Sequence, residues 1–296
     1  MRLFLLIYLL VYGGINAYML LRLQRAFHWG RVAVLATSLT MLALVLAPIL
    51  AHRLESAGWR MLAQPLALLA FIWMAVVFWF FAFGMLLELW NAAMRLLSIW
   101  PPQRWQLLQV LPARRMVHIL TAVVVVMLIW GSIEARRLKV VTIPVPTPLL
   151  PVGTAPLRVV QISDLHLGFS TGEAHVQRVL QIIARLQPDI LVCTGDFLDL
   201  ATPWVKQMAA AFTEISPPLG KYAILGNHEF YAGAEPSTRV LEHAGFQVLR
   251  NEYRDIGEHW RVVGVDDPAA RRWQQQALVS ERDLLNNALA TARFVL

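Results

Sequence analysis

Cysteine is almost absent from this 296-residue sequence: Cys193 stands alone, so no intramolecular disulfide forms and the redox compartment stays open. Cys193 falls inside an apolar run just before Gly195-Asp196, where a buried small hydrophobe is a simpler reading than a catalytic thiol. Charge is scarce too, with 15% charged against 57% hydrophobic residues, which excludes an ordinary soluble protein. Four stretches lack Asp, Glu, Lys and Arg altogether: Leu3 to Leu21, Val32 to Ala51, Met61 to Leu87 and Met116 to Ile133. Each is long enough to cross about 30 Å of hydrocarbon at about 1.5 Å per residue. The first starts like a signal peptide, but no small-x-small cleavage site follows and three more spans come after it. It is read as a retained helix, the first of about four transmembrane spans.

Acidic residues are rarest in this half. Residues 1–135 hold ten Arg and only three acids, Glu55, Glu88 and Glu134, and so carry the whole net charge of +7. Residues 136–296 balance sixteen basic against sixteen acidic side chains. The basic surplus therefore belongs to loops between spans, where Arg meets anionic headgroups, and no nucleic-acid partner is expected. Ionisable groups within the spans are too few for a transporter or channel; Glu88 and His118 lie near span ends. The inter-span loops do not decide orientation. Arg22, Arg25, Arg31, Arg95, Arg104, Arg114 and Arg115 face Arg2, Arg53, Arg60, Arg136, Arg137 and Lys139, seven against six. The dense third loop tilts the balance towards an extracytoplasmic C-terminal domain on a multi-pass inner-membrane protein.

Glu88 to Arg115 mixes Trp90, Trp100, Trp105, Pro101-Pro102 and four Arg, a composition suited to the headgroup level of a bilayer. Glu134 to Pro156 reads as a linker: a short strand over Lys139 to Ile143, then an extended Pro-rich run. The expected organisation is a transmembrane anchor with interfacial segment over 1–135, a linker over 136–157, and a catalytic domain over 158–296.

Beyond Arg158, short β-branched runs alternate with helix-period segments. Strands are expected at Arg158 to Ile162, Ile190 to Thr194, Tyr222 to Leu225, Gln247 to Leu249 and Arg261 to Val265. Helices are expected at Glu173 to Leu186, Pro203 to Ile215, Ser237 to Ala244 and Trp273 to Ala290. This alternation predicts an α/β sheet with helices on its faces, and sites in such sheets form beyond the carboxyl ends of the strands.

Three polar clusters stand at those ends: Ser163-Asp164-Leu165-His166, Gly195-Asp196-Phe197-Leu198-Asp199 and Gly226-Asn227-His228-Glu229. Asp164 and His166, two apart in an extended segment, project on one side and can chelate one ion. Carboxylate oxygen with imidazole nitrogen suits Mn, Fe, Zn or Co rather than Ca. Asp196 can bridge two ions, and Asn227 offers a neutral oxygen to the second. Singly, each has a plain structural explanation as a cap or turn residue. Jointly, three successive strand ends bearing metal-binding groups, with Gly195 and Gly226 allowing tight turns, point to a metal site that hydrolyses a phosphate ester.

The ordered set Asp-x-His, Gly-Asp-x-x-Asp, Gly-Asn-His-Glu resembles the motifs of the calcineurin-like metallophosphoesterase superfamily, and of its bacterial membrane-anchored branch in particular. The likeness covers Lys139 to Leu296, and Val263 to Asp267 also resembles a strand of that branch. The resemblance implies two divalent ions about 3.5–4 Å apart that activate a water for in-line attack. Asp164 and His166 would bind the first, Asp196 would bridge and Asn227 would bind the second. It further implies His228 as general acid and phosphate ligand, with Asp199 and Glu229 orienting the ligands. No Ser or Cys nucleophile is needed.

Two later motifs of the superfamily, a strand-end His and Gly-His-x-His, are not in this sequence. After His228 come only His243, in an expected helix, and His259, in a polar turn. Ala292 to Leu296 resembles the strand that should lead to the first of them. The expectation is thus a domain incomplete at its C-terminus through a truncated or frameshifted reading frame, binding at least one metal weakly and turning over slowly or not at all. The alternative is a non-catalytic membrane protein whose phosphoesterase-like domain has become a binding module. A bilayer tether makes lipid-linked phosphate esters attractive substrates and permits soluble ones.

Overall fold

The computed structural model describes residues 2–97, 111–147, 153, 155–257, 260–270, 280–289 and 294–295. The chain divides into two compact units, Met1–Arg137 and Leu138–Leu296.

The first unit is four helices: α1 (Arg2–Phe27), α2 (Arg31–Ser56), α3 (Arg60–Leu97) and α4 (Ala113–Glu134). Each charge-free stretch lies inside one of them, and all four are long and apolar enough to cross a membrane. Most of their large apolar side chains are exposed, as lipid-facing residues must be, while small ones are buried where helices touch. Ala47 and Ala51 of α2 and Ala63, Ala67 and Ala70 of α3 are almost wholly buried, and the absence of bulk lets the two backbones pack closely. Two polar contacts tie the helices together: the Trp73 indole N–H donates to Asn16 Oδ1 at 2.9 Å, and the Tyr8 hydroxyl to the Val45 carbonyl at 2.8 Å. With 38 residues, α3 is about 57 Å long at about 1.5 Å per residue and outruns the hydrocarbon layer. The expected headgroup-level segment is thus partly the end of α3, where Asn91 Oδ1 accepts the Leu111 N–H at 2.9 Å; Trp100, Trp105 and the rest of 98–110 lie outside the described residues.

The second unit holds a four-stranded parallel sheet, β1 (Val159–Ile162), β2 (Ile190–Cys193), β3 (Lys221–Ala223) and β4 (Gln247–Val248), in that spatial order. Parallel pairing needs a crossover between strands, which α5 (Glu173–Leu186), α6 (Pro203–Ala209) with the 3₁₀ turn Ala210–Glu214, and α7 (Asn227–Ala232) with α8 (Ala234–His243) supply. In α5 the buried residues Val176, Val179, Leu180 and Ile183 follow the i, i+3, i+4, i+7 stripe that a helix lays on a sheet. Strand alternation sends Val160, Ile162, Leu191 and Cys193 into the core under these helices. Val159, Ile190, Val192 and Tyr222 face the other way, against Ile256 and Val262. That second face is covered by a smaller sheet rather than by helices. It comprises β5 (Glu252–Ile256) antiparallel to β6 (Trp260–Gly264), with β7 (Phe294–Val295) parallel to β6. α9 (Glu281–Leu289) precedes β7.

Lys139 to Ile143 joins no ladder among the described residues, against the expected strand. Its β-branched composition favours strand geometry, yet a strand exists only where a neighbour takes its hydrogen bonds. β5 escaped the sequence reading because Glu252, Tyr253, Arg254 and Asp255 face outward and carry no apolar alternation. α7 was also unforeseen: the third cluster does not simply follow a strand but opens a helix. Of the expected helix Trp273 to Ala290, residues 273–279 and 290 lie outside the described residues, as do 148–152 of the Pro-rich run.

Candidate metal centre

The three clusters follow β1, β2 and β3, whose parallel register puts them on one edge of the sheet. Beyond the strands the loops stay zipped together. The Asp164 N–H donates to the Gly195 carbonyl at 3.2 Å, His166 N–H to Asp196 at 3.0 Å and Leu167 N–H to Phe197 at 2.9 Å. Asp164, His166 and Asp196 all adopt left-handed backbone, with φ of 55°, 48° and 51°. Such a conformation is costly for residues with a Cβ and gathers where a site demands it. Here it turns Asp164, His166 and Asp196 to within reach of one another: one ligand atom from each lies within 4.8 Å of the others. Asp164 Oδ1 and His166 Nε2 are 3.8 Å apart.

Two glycines let the loops after β2 and β3 meet. Gly195, at φ 103°, has room for no Cβ, which would stand 2.8 Å from Gly226 Cα. A Cβ on Gly226 would stand 2.3 Å from Asp196 Oδ1. The same oxygen accepts the His228 N–H at 3.0 Å, so Asp196 caps the start of α7 and sits beside Asn227, its first residue. Glu229 is fully buried beneath this contact. Its carboxylate accepts the N–H groups of Asp196 and Leu198, each at 2.9 Å, and of Gly226 at 2.8 Å, clamping both loops. Burial pushes its pKa up, against the pull of those three hydrogen bonds.

Asp199 Oδ1 lies 2.8 Å from His166 Nδ1 and 2.7 Å from His228 Nδ1. One acceptor between two ring nitrogens places a proton on each Nδ1 and leaves both Nε2 atoms free to bind or to transfer a proton. The rings are 4.5 Å apart at 78°. Burial works against a charged His166, but the hydrogen bond to Asp199 and the charges of Asp199, Asp196 and Asp164 outweigh it and raise its pKa. The set fits a divalent cation: three carboxylates and an imidazole converge with no Lys or Arg paired to Asp164, Asp196 or Asp199 among the described residues, and the Asp164 side chain is 66% exposed.

The structure thus brings together Asp164, His166, Asp196, Asp199, Asn227, His228 and Glu229. It keeps His243 away at the end of α8, and His259 lies outside the described residues. Cys193 is buried with its thiol pKa pushed up to about 12 by burial, so it is inert at neutral pH. Sequence reading placed Ser163 in the first cluster but gave no role to its hydroxyl, which donates to Asp164 Oδ2 at 2.5 Å, and it missed Tyr231, an exposed ring 5.6 Å from that of His228. It also missed the buried Asp266, held by Arg250 at 2.8 Å and by Asn251 at 3.2 Å beside the β3 end. Neither was findable: Tyr231 shares a face with His228 only because α7 forms there, and the Arg250–Asp266 pair joins distant loops.

Residues 157–280 match the family described as calcineurin-like phosphoesterase. Within the C-terminal unit, residues 157–280 carry the match to a calcineurin-like phosphoesterase domain. Among relatives, an uncharacterized metallophosphoesterase of Aquifex aeolicus is 36% identical over 167 residues, covering 56% of this chain and 63% of that protein. A zebrafish (Danio rerio) transmembrane protein with metallophosphoesterase domain is 33% identical over 161 residues, 52% of this chain and 36% of its own. The UDP-2,3-diacylglucosamine pyrophosphatase of Chlamydia trachomatis is 47% identical over 75 residues, 25% of this chain and 23% of the enzyme. The chain thus spans less than two thirds of the length of each of these relatives. No solved structure matches. The matched domain carries the candidate metal ligands on its sheet edge, and four helices long and apolar enough to cross a membrane precede it in the sequence.

Proposed function

We propose that this chain is a membrane-anchored, divalent-metal-dependent hydrolase of phosphate esters. The observation that carries the reading is the convergence of Asp164, His166 and Asp196, each in left-handed backbone, on the edge where Asn227 and His228 begin α7. Asp164 and His166 would hold one ion, Asn227 a second, and Asp196 would touch both. Ions bound there supply charge that neutralises a phosphoryl group and acidifies a water. The chain's own groups do the rest. Asp199 keeps the His228 Nδ1 protonated and leaves Nε2 to pass a proton to the departing oxygen. Glu229 holds the Asp196 and Asn227 loops at fixed separation, so the ligands meet substrate already in place. The exposure of Asp164 leaves an approach for substrate.

A lipid-linked phosphate is the favoured substrate class. The Chlamydia relative is named for a pyrophosphate bond on a diacylated sugar nucleotide, and the four apolar helices would bring this domain to lipid. The cell membrane is the corresponding location. Purified protein in detergent is to be assayed for metal content and for turnover of bis(p-nitrophenyl) phosphate, beside an Asp196→Asn variant. Metal-dependent turnover lost in the variant is expected. Metal bound without turnover of this or any lipid-linked phosphate would instead make the domain a binding module.

A further inference from the structure

Asp164 and His166 each carry two atoms able to bind a metal, and in each side chain the structure commits one of them elsewhere. In His166 the committed atom is Nδ1, 2.8 Å from Asp199 Oδ1, which leaves Nε2. In Asp164 it is Oδ2, which accepts the Ser163 hydroxyl at 2.5 Å and leaves Oδ1. That length is ordinary for a hydroxyl on a charged carboxylate, where hydrogen bonds are about 2.5–2.7 Å long and about twice as strong as neutral ones. The two remaining atoms lie 3.8 Å apart, within the span of about 4.2 Å that two bonds of about 2.1 Å to one ion can bridge.

The proposed hydrolysis gives the Ser163 hydroxyl no task. Nor does the fold need it, since the side chain is exposed and its hydrogen bond joins only neighbouring residues. What the hydroxyl restricts is rotation. The Asp164 backbone is already fixed, with φ at 55° and its N–H given to the Gly195 carbonyl, so the freedom left to the carboxylate is the turn of its own side-chain angles. The side chain is 66% exposed and pairs with no Lys or Arg among the described residues, so burial and charge do little to stop that turn.

We infer that Ser163 holds Asp164 as a one-oxygen ligand and thereby selects which metals the centre accepts. This rests on the reading of Asp164 and His166 as ligands of one ion. A carboxylate free to turn can grip an ion with both oxygens, which suits Ca²⁺ with its about six to eight oxygen ligands. One oxygen set beside an imidazole nitrogen suits a smaller transition ion that takes fewer ligands. Ser163 is thus a positioning residue: it touches neither metal nor substrate, and it discriminates against Ca²⁺ by withholding Oδ2.

The test titrates the purified, metal-stripped full chain in detergent with Mn²⁺, counting the free ion by its electron paramagnetic resonance signal, and repeats the titration with Ca²⁺ as competitor. In Ser163→Ala the Mn²⁺ affinity is expected to fall about ten-fold, as when a group that orients a ligand is lost. The preference for Mn²⁺ over Ca²⁺, taken as the ratio of the two affinities, is expected to fall by a similar factor because Ca²⁺ gains the second oxygen. Ser163→Thr keeps the hydroxyl and is expected to keep both affinities and their ratio. Three results overturn the inference while leaving the metal centre standing: equal losses for the two ions, no change in Ser163→Ala, or a Ser163→Thr protein that behaves like Ser163→Ala. Wild-type protein that takes up no Mn²⁺ overturns the metal centre itself, and the role of Ser163 with it.

Discussion

Asp199 is the residue on which the geometry of both histidines depends. One oxygen serves His166 and His228, so Asp199→Ala frees two rings at once. Metal affinity measured by titration calorimetry is expected to fall about 10–100-fold, the usual effect of losing a group that orients a metal-binding imidazole. His166 adds a pH dependence. Its raised pKa means that it keeps its proton above the ordinary histidine range, and a metal must displace that proton. Metal occupancy is therefore expected to fall as pH drops through and below that raised value, and His166→Gln should leave a weak, flatter profile. Without metal the sign reverses. The charged ring stabilises the fold below about pH 6.5, the unfolded value, and that contribution is lost as pH rises through the folded one. The metal-binding residue types were legible in the sequence, because Asp, His and Asn at three strand ends are chemically informative wherever the strands lie. That Asp199 serves two histidines was not, since it depends on a loop crossing from β2 to the ends of β1 and β3.

At the scale of elements, the site is a contact between loops, and two small features hold it. Gly226→Ala places a methyl group against Asp196 Oδ1, with overpacking that costs about 1–3 kcal/mol. The expected result is a lowered melting temperature together with loss of metal, because the group displaced is the carboxylate proposed to touch both ions. Glu229→Ala leaves three buried N–H groups without their acceptor, at about 1–3 kcal/mol each. Thermal melts should show a loss of several kcal/mol, partly restored in Glu229→Gln, which keeps an amide oxygen. Helix α5 was readable to its last residue because its apolar stripe and its sheet contact are the same fact. α7 was not, because six residues show too little periodicity, and its start is set by caps from another loop. Lys221 is a further example: buried, it donates to the carbonyls of Phe212 and Ala244 at 2.7 and 2.9 Å, tying two helix ends that no local pattern connects.

At the scale of the whole molecule, four crossings by the four apolar helices would return the chain to the side on which it began. Reporter fusions before α1 and after residue 138 should therefore both read out on one face of the membrane; opposite faces would mean that one helix does not span. The expected extracytoplasmic placement of the phosphoesterase domain is settled by the same fusions. The four apolar helices and the order of the chemical motifs were determined by the sequence alone, because hydrocarbon rejects charge along every residue of a span and the motif residues carry their donor atoms whatever surrounds them. Only the tertiary structure decided how the three clusters fit together and which strands find partners. The clamp of Glu229 on the loop after β2, the shared oxygen of Asp199 and the pairing of β1 with β2 are each contacts between segments about thirty residues apart. Such contacts are decided by packing, since a hydrogen bond or a ladder exists only when the chain delivers both halves to one place.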